Sequence, residues 1–168
     1  MGQLFAIGFV FLVIYAMVSD ARHLTIPNWV SGALIVLFFL HMPFSEYSAP
    51  VWNHLLVALV VFAVGLLLFA LRWFAGGDVK LMTAVSLWAG PSQILSLVAL
   101  TALLGAVLAV GVLAAAKWSD KGFLYLVSVH LDGLVPRWAR RGLCPYGLAI
   151  GSASLMTIPA GLFPIVYP

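Results

Sequence analysis

The chain has 168 residues, 64% of them apolar and only 8% charged, with a formal net charge of +3 and a mean hydropathy of +1.15. Soluble globular domains carry about 25% charged and about 45–50% apolar residues. The composition therefore excludes a soluble domain, intrinsic disorder and the dense basic face of a nucleic-acid binder. A single cysteine excludes a disulfide framework and any zinc site built from cysteine pairs.

About 20 apolar residues in a helix cross a bilayer core of about 30 Å. Residues 2–19 form the first such run, and Asp20 ends it. It has no positive n-region and no A-x-A cleavage site follows, so it reads as a retained helix rather than a signal peptide. Residues 29–44 form the second run, closed by Met42-Pro43. Pro27-Asn28 reads as its start, because proline restricts the backbone and asparagine caps helices; the functional alternative is that the pair places Asp20. Residues 53–71 are the third run. Residues 79–90 are a short fourth, stopped by Gly90-Pro91. About 12 residues cover only about 18 Å, so this segment is expected to be tilted in a thinned region or re-entrant. Residues 92–116 are the fifth run and 146–166 the last.

The connection 117–145 is the one long loop. Phe123, Leu126, Val127, Leu131 and Leu134 recur in it at helical spacing, with Ser128, His130 and Asp132 between them. Trp118 and Trp138 bracket the segment as interfacial aromatics do, which predicts an amphipathic helix lying in the membrane interface. The expected fold class is an all-α integral membrane protein of about six transmembrane helices, with that interfacial helix in the 117–145 loop. Residues 1–168 form a single membrane-embedded domain in this reading, with no soluble domain.

Lysine and arginine stay on the cytoplasmic side. With six spans and the N-terminus outside, residues 19–28, 72–80 and 117–145 are cytoplasmic. They hold Arg22, Arg72, Lys80, Lys117, Lys121, Arg137, Arg140 and Arg141, all eight basic residues of the chain. A missing or extra span would scramble that partition.

Five carboxylates remain to be explained: Asp20, Glu46, Asp78, Asp120 and Asp132. Glu46, Asp120 and Asp132 fall in loops and read as solvated charges. Asp20 ends the first span and Asp78 opens the fourth, at the same membrane face and similar depth. For each there is a plain structural explanation: Asp78 as an N-cap, Asp20 as a boundary charge paired with Arg22. The chemical explanation is that they share a site. Two carboxyl groups in one site hold a proton between them. The ionised member takes a proton from water as general base, and the protonated member donates to a carbonyl oxygen. This hydrolyses a peptide bond without metal or covalent nucleophile. Gly76 and Gly77 before Asp78 permit positive φ and offer bare backbone to an extended peptide.

Four features resemble the prepilin peptidase family of intramembrane aspartyl proteases, the GxGD class, in the form of its small CpaA/TadV-like members that serve Flp-type pili. They are Asp20 at the end of the first span, Ile26-Pro27-Asn28 opening the second, Gly76-Gly77-Asp78-Val79-Lys80-Leu81, and Pro145-Tyr146-Gly147-Leu148-Ala149-Ile150 at the start of the last. Their order covers essentially the whole chain. One position departs: the family's first motif glycine falls at Ala75, which puts in question any role needing positive φ there. The resemblance implies Asp20 and Asp78 as the catalytic pair, with Gly76 and Gly77 shaping the loop that presents Asp78. Pro27, Asn28 and Lys80 join the site-shaping set. Lys80 is either a steering charge for an acidic residue or headgroup, or a snorkelling interfacial lysine.

The implied substrate is a prepilin or pseudopilin with a basic leader and a hydrophobic helix, cut at the cytoplasmic face of a prokaryotic inner membrane. The lipid bilayer is the other partner, and no nucleic acid, cofactor or metal is called for. Larger members carry an extra domain with paired cysteines and N-methyltransferase activity. With Cys144 alone, peptidase activity without that zinc-binding module is expected. Oligomeric state, the pilin cut and the Asp20–Asp78 separation stay open.

His23 reads as an interfacial histidine. His41 and His54 lie near the opposite face, far from the proposed site, and no role falls to Cys144. Gly105 and Gly111 read as points of close helix approach. Two alternatives come from other classes. A transporter or ion-pathway subunit predicts ionisable residues at mid-span, and the chain has none. A non-catalytic pilus or secretion component predicts that Asp20→Asn and Asp78→Asn are tolerated.

Overall fold

The computed structural model describes residues 2–44, 50–119 and 144–158. Helix α1 spans Gly2–His23, α2 Asn28–His41 with a 3₁₀ turn Met42–Phe44, α3 Val51–Ala70, α4 Gly76–Ser119 and α5 Tyr146–Thr157. The described residues contain no strand. Segments Gln3–His23, Val51–Ala70 and Gly76–Ala114 are long and apolar enough to cross a membrane, and Asn28–Phe44 is a shorter apolar helix. The protein is a small all-α membrane protein. The amphipathic helix expected within 117–145 falls almost entirely outside the described residues, as do Glu46, Asp120 and Asp132.

Helix α4 has 44 residues, which as one rod would measure about 66 Å, twice a bilayer core. It is broken at Gly90, where φ is 58° and ψ is −169°. Its two limbs are 76–89 and 91–119, which match the expected fourth and fifth segments. Gly105, in the second limb, packs against the Tyr146 ring at the start of α5. The next residue, Gly147, bonds Asp20 in the pocket that Asp78 lines. An unbroken helix would put Gly105 about 40 Å from Asp78. The second limb therefore folds back along the first.

Two residues make this reversal. Gly90 takes a left-handed φ that costs other residues about 1–2 kcal/mol, and a Cβ there would run into the His54 ring. Pro91 has no N–H, so the carbonyl four residues earlier, Leu87, loses its helical donor. His54 Nδ1 replaces it at 2.8 Å. A carbonyl only accepts, so Nδ1 carries the proton. His54 is thus the surrogate donor for a broken helix. His41 stacks on Trp88 nearby, with ring centroids 5.5 Å apart.

The short limb 76–89 is the centre of the bundle. From Val79 to Ala89 every position is buried or half-buried except Lys80. Leu81, Ala84, Val85 and Trp88 pack into one core with Phe9 and Val13 of α1, Leu34 and Phe38 of α2, and Ile150 and Ala153 of α5. The Trp88 indole N–H donates to the Leu34 carbonyl at 3.0 Å. A helix apolar all round is one walled by protein, and this explains how so short a segment is accommodated.

Helix α5 lies close on α1 because Gly147 and Gly151 face it. A Cβ at Gly151 would strike the Met17 side chain, and one at Gly147 the Asp20 carboxyl. Small residues that let helices approach are the usual device of membrane bundles. Gly105 serves the same end, as expected. At Gly111 no described atom lies within 4 Å of a Cβ built there, so it marks no close approach among the described residues.

Candidate active site

Asp20 does not end its helix. Helix α1 runs on through Ala21, Arg22 and His23, so Asp20 sits one turn inside it. The helix stops because Leu24 adopts a left-handed φ of 53°, its N–H bonding the Asp20 carbonyl at 2.8 Å, which is the αL type of helix ending. Residues 24–27 then run without regular structure to α2. Ser19 Oγ donates to the Thr25 carbonyl at 2.8 Å and ties this connection back to α1.

The Asp20 side chain reaches a different helix. Its Oδ2 accepts the Gly147 N–H at 2.7 Å, a buried bond between residues 127 positions apart. Gly147 is the second residue of α5, whose N-cap residue Pro145 makes no side-chain cap bond. Asp20 thus satisfies one of the orphan amides at that N-terminus. Such a bond to an ionised acceptor is worth about 1.5–3 kcal/mol. A Cβ on residue 147 would sit 2.8 Å from Oδ2 and 3.0 Å from Cγ, so only glycine fits without moving the carboxyl.

Asp78 is not an N-cap. Ala75 holds that place, its carbonyl accepting from the N–H groups of Asp78 and Val79 at 3.1 and 3.2 Å. Asp78 is the third helical residue, and its carboxyl takes a hydrogen bond from the Ala75 backbone, the reach-back half of a capping box. Asp20 and Asp78 are both buried, at 5% and 7% exposure. They face one pocket of about 240 Å³, lined also by Leu24, Thr25, Ile26, Asn28, Ala75 and Gly77.

The glycines act by size. No non-glycine residue but Leu24 and Arg72 has positive φ among the described residues, and Gly90 is the only such glycine. Gly76 and Gly77 therefore do not use left-handed backbone, and neither does Ala75, which answers the question raised by the motif departure. A Cβ on Gly77 would lie 3.3 Å from Ile26 Cβ and 3.5 Å from its backbone nitrogen. Gly77 lets the α1–α2 connection press onto the start of α4 and bring Asp78 to Asp20. At Gly76 a Cβ would make only ordinary contact with Phe69, 3.6 Å away.

Pro27 is the N-cap residue of α2, at φ −62° and ψ 136°. Asn28 does not cap that helix, which has no side-chain cap bond. Its Oδ1 instead accepts from Lys80 Nζ at 2.8 Å. Lys80 thereby fastens α2 to α4 at the rim of the pocket. Cys144, just before Pro145, is affected by the site: burial raises its thiol pKa, and the charges of Asp20 and Asp78 raise it further. Gly147 is the site residue that sequence reasoning missed. Its only signal was its place in Pro145-Tyr146-Gly147. Among the described residues no group of His, Cys, Asp and Glu could hold a metal ion.

Fold and site define a small all-α membrane protein with two buried carboxyl groups facing a pocket at one end of its bundle. The type IV leader peptidase family matches residues 7–110, more than half of the 168-residue chain, and the chain belongs to that family of proteases. No curated protein and no solved structure matches it. The family match includes Asp20, Pro27, Asn28, Gly76, Gly77, Asp78 and Lys80 but stops before α5.

Proposed function

We propose that the protein cleaves the leader from type IV prepilins or pseudopilins of the Flp type, with Asp20 and Asp78 activating the water. The observation that carries this reading is that the two buried carboxyl groups line one pocket. Two charges so placed repel, and a shared proton relieves this. The ionised carboxylate accepts a proton from water as it attacks the scissile carbonyl. The protonated partner donates to the carbonyl oxygen; the carboxyl that took the water proton then protonates the leaving nitrogen, while its partner recovers a proton from the gem-diol hydroxyl as the new carboxyl group forms. Gly147 and Ala75 hold the carboxyl groups through backbone N–H bonds. The glycine at 77 leaves room for their approach, and the Lys80–Asn28 bond fixes the rim.

The substrate in this reading has a basic leader followed by a hydrophobic helix. The enzyme sits in a prokaryotic cytoplasmic membrane with its N-terminus outside and the pocket facing the cytoplasm. Arg22, Arg72 and Lys80 support that orientation, because they lie at the end of α1, in the turn between α3 and α4 and at the start of α4, on the side of the bundle that carries Asp20 and Asp78. Cleavage in this reading takes place within a single membrane-embedded domain.

The experiment is co-expression with a Flp-type prepilin, scored by leader removal. Wild type removes the leader, and Asp20→Asn and Asp78→Asn leave it attached while still inserting in the membrane. Cleavage retained by Asp78→Asn would falsify the dyad.

A further inference from the structure

Each carboxyl group of the pocket is held by the backbone of one residue. Gly147 donates its N–H to Asp20. The Ala75 backbone bonds the Asp78 carboxyl, and the Ala75 carbonyl accepts from the Asp78 N–H at 3.1 Å. The residue before each of these is aromatic: Tyr146 before Gly147, and Phe74 before Ala75. The two rings meet, with centroids 5.1 Å apart and planes at 50°. Aromatic pairs in such a geometry attract beyond their buried area. Neither residue lines the carboxylate pocket, so their contact lies behind the site. Each ring is backed by a separate helix. The Trp73 and Phe74 N–H groups bond the Leu68 carbonyl at 2.9 and 3.4 Å, which fixes Phe74 to the end of α3. Tyr146 lies against Gly105 of the second α4 limb, where a Cβ would stand 2.5 Å from a ring carbon.

We infer that the Phe74–Tyr146 ring pair sets the separation of the two carboxyl groups, so that both are positioning residues for the cleavage. The inference rests on the peptidase reading above and adds what spaces its dyad. A carboxyl group bonded to a backbone group moves with it. The Gly147 amide moves with Tyr146 and the Ala75 backbone with Phe74, because a planar peptide unit joins each to its neighbour. The ring contact therefore ties α5, which carries one backbone partner, to the turn before α4, which carries the other. If the rings only filled space between helices, their loss would lower the amount of folded protein and leave the turnover of each folded molecule unchanged. As a brace for the dyad they act on the chemical step itself.

The test uses the full chain in membranes with a Flp-type prepilin, with turnover expressed per folded molecule. Tyr146→Leu removes the ring contact. Its kcat is expected to fall about tenfold, short of the about 10²-fold that a displacement of about 1 Å costs. KM stays unchanged, since only the chemical step is affected. Tyr146→Phe keeps the ring and holds kcat near the wild-type value. Phe74→Leu matches Tyr146→Leu, and the double variant falls no further than either single one, as two residues acting through one contact require. Gly105→Ala pushes the Tyr146 ring from its far side and lowers kcat as well. Gly111→Ala, with no described atom within 4 Å of its Cβ, does not. Wild-type kcat in folded Tyr146→Leu and Phe74→Leu, or a loss in Tyr146→Phe as large as in Tyr146→Leu, overturns the inference while wild-type cleavage persists. So does a double variant whose loss is the product of the two single losses. Should the leucine variants fail to fold, Gly105→Ala decides, and wild-type kcat in it overturns the inference. A wild type that cuts no prepilin overturns the peptidase reading itself.

Discussion

The short limb 76–89 carries buried polar groups at both ends, and the two ends use them differently. At the Gly90 end, His54 donates to the Leu87 carbonyl and Trp88 to the Leu34 carbonyl. Both donors answer backbone groups, aromatic rings surround them, and neither lines the carboxylate pocket. At the Asp end, each carboxyl group takes a backbone N–H and still faces a pocket beside the other. Burial of a polar side chain therefore does not distinguish structure from chemistry in this bundle. What distinguishes them is acceptor capacity left over after the backbone is satisfied. A carboxylate has about four lone-pair sites, and one hydrogen bond leaves most of them for a ligand.

Substitutions at the two ends sharpen that contrast. The largest effect is expected from Asp78→Asn, which keeps size and an acceptor but removes the acid–base group proposed above. Leader cleavage falls by at least about 10²–10⁴-fold, while the variant still elutes as a folded protein in detergent gel filtration. Next is Gly147→Ala. The methyl group displaces the Asp20 carboxyl, and a displacement of about 1 Å costs about 10²-fold in rate. Cleavage assays read this, and a rate equal to wild type would count against Asp20 being held by α5.

The opposite end should respond in stability and not in chemistry. His54→Leu leaves the Leu87 carbonyl unpaired at about 1–3 kcal/mol. The thermal midpoint in detergent drops, and turnover per folded molecule holds. Loss of turnover at unchanged midpoint would dissolve the contrast between the two ends. A smaller effect falls on Cys144. Burial and two nearby carboxylates suppress its thiolate, so alkylation at pH 8 is slower than for an exposed cysteine. Asp78→Asn removes one negative charge, raises the thiolate fraction and speeds the reaction a few-fold. The smallest is Lys80→Met, which breaks one exposed hydrogen bond to Asn28 worth about 0.5–1.5 kcal/mol.

Much of this was legible in the order of residues. Apolar runs located the helical segments, Gly90-Pro91 located the reversal, and Asp20 and Asp78 stood out because carboxylates are rare in such a chain. What could not be read are the contacts that span long stretches of it. The Asp20–Gly147 bond joins residues 127 apart and His54 reaches Leu87 across 33, and no periodicity encodes either. The end of α1 was hidden because Asp20-Ala21-Arg22-His23 is polar enough to look like a loop, although helix propensity carries it through. Gly76 and Gly77 suggested left-handed backbone. Ile26 shows that position 77 is a matter of clearance, with a Cβ there 3.3 Å away.

The bond from Asp20 to Gly147 also sets an order of events in biogenesis. Asp20 is made early and enters the membrane with the first helix, yet the amide that holds it belongs to the last one. The Asp20 carboxyl therefore gains its backbone donor only when α5 docks against α1. On the dyad reading proposed above, a nascent chain that has not yet inserted α5 has both aspartates but lacks the amide that holds Asp20, and cleavage is expected only once that bond has formed.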